Sequence, residues 1–308
     1  MSKKKEAQKS ILDEVVIEPA VPDRPHEGKI LVVVQAHADD IPFFCAGTVA
    51  KLIDEGYTGY LIQTTNDEKC GPTTSIGETV LSNEREVDAL AEALDLKTVF
   101  NLGYRNHRLD EASPTELRSR LILLFRYLKA DTVFTFNPWG HGEENPDHYV
   151  TGQAVEAACW MAGMNKDYPE HLAIGLQPHG VREKYYWVAR PGQPFNRVVD
   201  ISAHIHKKIA SMSVNKSQGP AGSRGSRLKA GLAEKGLRLP ALGDDDETAD
   251  REYIKLFGLD SYKRLGREYG FDYAERFYYV SPEFRFTGAT APDRIQQYTS
   301  AHAVPISD

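Results

Sequence analysis

The sequence predicts an α/β fold: a Rossmann-like three-layer sandwich with a mostly parallel central sheet. Three observations predict it. Short apolar runs of strand length alternate with segments of helical periodicity, the pattern of βαβ units. Polar, titratable clusters follow two of those runs directly. No 20–50-residue repeat is present, and no linker interrupts the alternation before about residue 213.

Residues 1–27 read as a flexible extension, basic in "MSKKKEAQKS" and Pro-rich in "EPAVPDRPHEGK". Residues 28–308 read as a single catalytic α/β domain. Its first strand is "KILVVVQAH". "GTVAKLIDEG" follows as a helix, because Val49, Leu52 and Ile53 recur at helical spacing and Gly56 suits the C-terminal cap. "TGYLIQTT" is a strand, and "LSNEREVDALAEALDL" is a helix with Val87, Leu90, Ala91 and Leu94 on one face. "TVFNLGY" is the third strand. "SPTELRSRLILLFRYLK" carries a full helix-start signature: Ser113 at N-cap, Pro114 at N1 and Glu116 at N3. "DTVFTFNP" is a fourth strand, and "DHYVTGQAVEAACWMAG" a further helix. "REKYYWVARP" and "NRVVDIS" are strands, and "SAHIHKKIASMS" is a helix. A long loop-rich insertion is expected near 213–250, rich in Gly, Ser and charge. "REYIKLFGLDSYKRLGREYG" then reads as helical and "ERFYYV" as a last strand.

Composition narrows the function classes. The chain has 308 residues and a net charge of −7, which argues against nucleic acid as a partner. Cys45, Cys70 and Cys159 are far apart and form no CxxC pair, so neither a disulfide framework nor a zinc knuckle is indicated. Free thiols suit a reducing compartment, and the expected location is cytoplasmic. No apolar run is long enough for stable membrane insertion, and the basic N-terminus lacks the apolar core of a secretory signal. Oligomeric state stays open, a homo-oligomer included.

The chemistry lies in two clusters. His37, Asp39 and Asp40 end the first core strand. "NPWGHGEENPDHY" ends the fourth, with His141, Glu143, Glu144, Asn145, Asp147 and His148. In an open parallel sheet ligands bind outside the carboxyl ends of the strands, so the two clusters can converge on one edge. Two histidines and one carboxylate fit a catalytic zinc site with one position left for water. A second carboxylate beside the metal can take the water's proton. "HADD" has room for both jobs. A carboxylate pair after a strand also serves to cap a helix, and "DH" at 147–148 precedes one as well. Asp147 therefore has two readings: a cap, or a group that orients a ligand histidine. Arg105 and Asn106, with His107 beside them, follow the third strand and can reach sugar hydroxyls. Trp139 can stack on a sugar ring.

"AH-x-DD" after the first strand and "PDH" after a later one resemble the LmbE/PIG-L family of zinc-dependent N-acetylglucosaminyl deacetylases. "AGTVAKL", "ALAEALDLKTVFNLGYRN", "GLQPHGVREKYYW" and "KSQ" at 216–218 extend the resemblance over residues 28–218, with an echo in "YAERFYYV". The resemblance implies one Zn²⁺ per chain, or another divalent metal, held by His37, Asp40 and His148. It implies Asp39 as general base, and hydrolysis of the N-acetyl group of an N-acetylglucosamine-type conjugate, a small molecule. A metal-dependent phosphoesterase, drawing on Glu143, Glu144 and Asp67, and a non-catalytic sugar binder are the rivals.

Three positions depart from the family pattern. Ala38 replaces a usual proline. Asn83 stands where many members have an arginine three residues before a glutamate, here Glu86. Asn145 stands where many have the first histidine of "HxDH". An asparagine can donate a hydrogen bond to an oxyanion but cannot supply a proton. His141 can take over that task, or Asp39 can return the proton it received; the second route needs no new residue.

Overall fold

The computed structural model describes residues 15–71, 75–218, 222–281 and 292–305. Among the described residues eight strands form one sheet in the order β1-β7-β8-β6-β5-β2-β3-β4. They are β1 (Val16–Glu18), β2 (Ile30–Gln35), β3 (Thr58–Thr65), β4 (Val99–Tyr104), β5 (Thr132–Phe136), β6 (Glu183–Trp187), β7 (Arg197–Asp200) and β8 (Ala274–Val280). Among these strands β8 alone runs against its neighbours, pairing antiparallel with both β6 and β7. All other pairs are parallel.

The centre of the sheet is β2, flanked by β5 and β3. Leu31 and Val33 join one buried cluster, and Val32 and Val34 join the other. A strand buried on both faces has no polar alternation, which is why "ILVVV" is uninterrupted. Helices cover both faces. On one lie α1 (Asp40–Phe44), α2 (Ala46–Asp54) and α3 (Ile76–Ala93); on the other lie α4 (Pro114–Leu128) and α5 (Pro146–Met161), packed against each other. The short α6 (Pro169–Ala173) follows, and α7 (Ile205–Val214) packs on α2 and α3.

The order places a topological switch at β2: the chain goes on to β3 and β4 on one side, then crosses to β5 and β6 on the other. A crevice opens at the carboxyl ends of β2 and β5, where such sheets bind ligands. Gly152 lets α5 close onto that edge, since a Cβ there would sit 2.8 Å from the Phe136 carbonyl oxygen.

Three expectations need correction. Within the extension assigned to residues 1–27, residues 16–18 form an edge strand paired with β7, and Glu18 accepts from Lys51 and Arg197; residues 1–14 lie outside the described residues. The 213–250 segment is not chiefly loop: it contains α8 (Arg224–Ala233) and most of α9 (Asp246–Tyr253), while 219–221 lie outside the described residues. Its Gly and Ser content hides the pattern, yet Gly225 is what allows α8 to touch α9, its Cβ position being 2.0 Å from the Ala249 carbonyl oxygen. The helix read over 251–270 is broken by a π-helical turn at Ile254–Gly258, after which α10 (Asp260–Tyr269) begins; α11 (Pro292–His302) is last.

Candidate active site

The turn after β2 carries His37, Asp39 and Asp40, and the residues after β5 carry Asn145, Asp147 and His148 at the start of α5. The sheet brings them together. His37 Nδ1 lies 3.0 Å from His148 Nε2, and His148 Nε2 lies 3.6 Å from Asp40 Oδ1. Neither carboxylate of "DD" caps α1. The Asp39 side chain makes no cap hydrogen bond, while Asp40 Oδ2 turns back to accept from the backbone N–H groups of Ala36 (2.9 Å) and His37 (2.8 Å). Asp40 Oδ1 is thereby aimed at His148.

Each histidine is fixed from behind. His37 Nε2 is 3.0 Å from Asp147 Oδ2. Asp147 is fully buried and also accepts from Asn106 Nδ2, His107 N and Leu109 N. His148 stacks on Phe136 with ring centroids 4.0 Å apart. Its Nδ1 faces Glu143 Oε1 at 3.1 Å, close enough for charge attraction but out of line for a hydrogen bond. Capping of α5 falls to Asn145, whose Oδ1 accepts from Asp147 N at 3.0 Å and whose Nδ2 sits 3.4 Å from His148 Nε2.

The remaining candidates divide. Asn106 is buried, with its amide committed to Asp147. Arg105 is exposed and pairs with Glu68 at 2.9 Å. Trp139 is 66% exposed at the same edge, edge-on to Tyr186. His141 is exposed on the turn after β5, and among the described residues its ring makes no hydrogen bond or ion pair; only its carbonyl is held, by Gln193. Asn83 donates to the carbonyls of Asp67 and Cys70 and accepts from Gln218, closing the loop after β3.

Two contributors were not legible as such. Asp67, at φ +53°, buries its carboxylate under the His37 turn, accepting from Ala38 N at 2.8 Å and Gln63 Nε2 at 3.0 Å. His107, at φ +58°, meets the His37 ring edge-on at 6.1 Å. The only signal for Asp67 was its place after a strand; side-chain direction at a left-handed residue is not readable from spacing.

The electrostatics favour a cation. Burial by itself would lower the pKa of His37, but the Asp147 hydrogen bond, with Asp40 and Asp67 nearby, raises it to about 9. Burial, then the adjacent Asp40, raises Asp39 to about 6. Asp147 is held below the usual carboxylate range: burial opposes this, but the His37 and His107 hydrogen bonds outweigh it.

The donor set fits a divalent metal. Among the described residues, the groups able to hold one are His37–Asp40–His148 and His37–His107–Asp147. The second uses the His37–Asp147 contact, which is already a hydrogen bond. For the first, the 3.0 and 3.6 Å separations bracket the roughly 3.3 Å edge of a tetrahedron with metal–ligand bonds of about 2.0 Å. Among the described residues Glu143, Glu144 and Asp67 belong to neither group.

A family model described as "PIG-L: GlcNAc-PI de-N-acetylase" matches residues 32–159, the span holding both clusters. A diacetylchitobiose deacetylase of Thermococcus kodakarensis is 28% identical over 62% of this chain and 71% of its own length. A probable N-acetyl-alpha-D-glucosaminyl L-malate deacetylase 2 of Bacillus anthracis is 24% identical over 61% of this chain and 80% of its own. The N,N'-diacetylchitobiose deacetylase structure from Pyrococcus horikoshii superposes with a TM-score of 0.66 at 23% identity, over 85% of this chain and 88% of that one; it shares the fold.

Proposed function

From the match of residues 32–159 to the PIG-L family model and the likeness to N-acetylglucosaminyl deacetylases, we propose that the protein is a member of that family and a metal-dependent hydrolase that removes the N-acetyl group from an N-acetylglucosamine-type conjugate. The observation that carries this reading is the convergence of His37 Nδ1, Asp40 Oδ1 and His148 Nε2 from two strand ends, with Asp39 alongside.

In this reading His37, Asp40 and His148 hold one zinc ion. A bound ion there acidifies water and offsets negative charge on the amide oxygen. Asp147 keeps His37 in the tautomer that presents a bare Nδ1, because its carboxylate accepts the Nε2 proton. Asp39 takes the proton of the attacking water as its oxygen bonds to the acetyl carbon. Asn145 Nδ2, beside His148 Nε2, donates to the oxyanion that develops. As the C–N bond breaks, Asp39 returns the proton to the leaving nitrogen, and acetate and a free amine depart. The exposed Trp139 offers a face for the sugar ring, and Arg105 a donor at the rim.

The test is acetate release from a panel of N-acetylglucosamine conjugates by wild type, Asp39→Ala and His148→Ala, with metal content measured for each. Turnover lost in both, with zinc lost only in His148→Ala, supports the reading. Zinc bound with no turnover on any conjugate favours a sugar binder; phosphatase activity with two metals favours a phosphoesterase.

A further inference from the structure

A cavity of about 390 Å³ lies beside α10, walled by Phe43, Phe44, Tyr262, Arg264, Glu268 and Arg276. It shares the edge of the sheet that carries the metal ligands. Phe43 and Phe44 follow Asp40 on α1, and Val188 follows the carboxyl end of β6. The antiparallel β8 begins there with Ala274. Two ring contacts connect it to the cluster: Phe44 meets Phe136 edge-on at 6.1 Å, and Phe136 stacks on His148.

The walls are held rigidly. Lys208, fully buried, donates to Glu275 at 2.6 Å and to the carbonyls of Pro42 and Phe43. Glu275 also accepts from Gly47 N, Thr48 N and Thr48 Oγ1. Tyr262 Oη donates to the Phe43 carbonyl at 2.6 Å. The buried acid in the lining is therefore neutralised, and its oxygens are occupied.

The cations in the lining are not. Among the described residues, neither Arg264 nor Arg276 lies within 4.0 Å of a carboxylate; Arg276 rests over the Phe195 ring. On α10, Lys263, Arg264 and Arg267 outnumber Asp260 and Glu268. Of these only Arg264 and Glu268 line the cavity, and with Arg276 from β8 and Glu275 already paired to Lys208 the lining holds two guanidinium groups against one carboxylate without a cationic partner among the described residues. Guanidinium groups match carboxylate and phosphate geometry through paired N–H donors.

We propose that this cavity receives an anionic group, a carboxylate or a phosphate, carried by the substrate beyond its acetamido sugar. The inference rests on the deacetylase reading above, and it assigns Arg264 and Arg276 as specificity residues that leave the chemistry untouched.

The test compares three N-acetylglucosamine conjugates, with a neutral methyl, a carboxylate-bearing and a phosphate-bearing aglycone, on wild type and on Arg264→Gln/Arg276→Gln. Far-UV circular dichroism and melting temperature check that the variant is folded. For at least one anionic conjugate KM rises about tenfold or more in the variant with kcat held, as loss of charge-assisted hydrogen bonds requires, while the neutral conjugate is unaffected. The arm that shifts identifies the anion. Equal kinetics for all three conjugates in both proteins, or an equal loss on all three, overturns the proposal. Calorimetric titration of the same conjugates reads the cavity without turnover: weaker binding of an anionic conjugate to the variant supports it, and equal binding overturns it. Absence of acetate release from every conjugate overturns the deacetylase reading instead.

Discussion

His37 meets Asp147 and His148 through opposite edges of one ring, with Nε2 3.0 Å from Asp147 Oδ2 and Nδ1 3.0 Å from His148 Nε2. In the neutral ring the first contact keeps the proton on Nε2 and leaves Nδ1 as the nitrogen that would bind a metal. Asp147 also accepts from the backbone of His107 and Leu109, tying the loop after β4 to the same point. Asp147→Ala is predicted to weaken zinc binding by about 10–100-fold, the usual effect of removing a group that orients a ligand histidine. Competition titration against a chromophoric chelator measures it.

Asp39 stands apart from the ligand set and from helix capping. Asp39→Ala is predicted to lower kcat by about 10²–10⁴-fold, the range for loss of a general base. Zinc content should stay at one equivalent. Loss of zinc in this variant would show that Asp39 is a ligand.

Asn145 does two things with one amide. Its oxygen caps α5 and its nitrogen faces His148 Nε2. Asn145→Asp keeps the cap but removes the donor: melting temperature should hold, while kcat falls by about 10²-fold, as for loss of an oxyanion donor. Asn145→Ala loses both, adding about 1 kcal/mol of destabilisation. Full activity in Asn145→Asp would remove Asn145 from the chemistry.

Asp67 gives a pH signature in metal-free protein. Burial raises its pKa to about 7, the partly opposing His37 charge and Ala38 N–H notwithstanding. Its unfolded value is about 4. Between these limits the folded chain holds a proton that the unfolded chain has released, so this group's contribution to stability falls as pH rises from about 4 to 7. Asp67→Asn, which tolerates the left-handed backbone, should flatten that decline. Urea midpoints of chelator-treated protein across pH 4–8 read it; an identical slope in the variant would contradict the assignment.

Lys208 and Glu275 pin the α1–α2 turn from α7 and β8. Lys208→Met strands a buried carboxylate and should destabilise the fold by roughly 3–5 kcal/mol. Adding Glu275→Gln removes the stranded charge and should recover part of it. Denaturant unfolding of the two variants checks the order.

The central strands were readable because burial on both faces leaves continuous apolar runs: β3 spans the same residues as "TGYLIQTT". The start of α4 was readable because Ser113 does accept from Glu116 N. What escaped was set by tertiary contact. β1 has three residues and owes its form to β7. The α8–α9 pair depends on a glycine contact, which composition reads as loop. The clusters at His37 and His148 could be paired because both follow parallel strands. The commitment of Asn106 to Asp147, and the exposure of His141, depend on side-chain direction in loops.

The central claim is that one metal ion at His37, Asp40 and His148 supports deacetylation. Its most direct test is acetate release from an N-acetylglucosamine conjugate by protein stripped with a chelator and then titrated with zinc. The account predicts that activity disappears on stripping and returns linearly to a plateau at one equivalent per chain. Undiminished acetate release from fully stripped protein would contradict it.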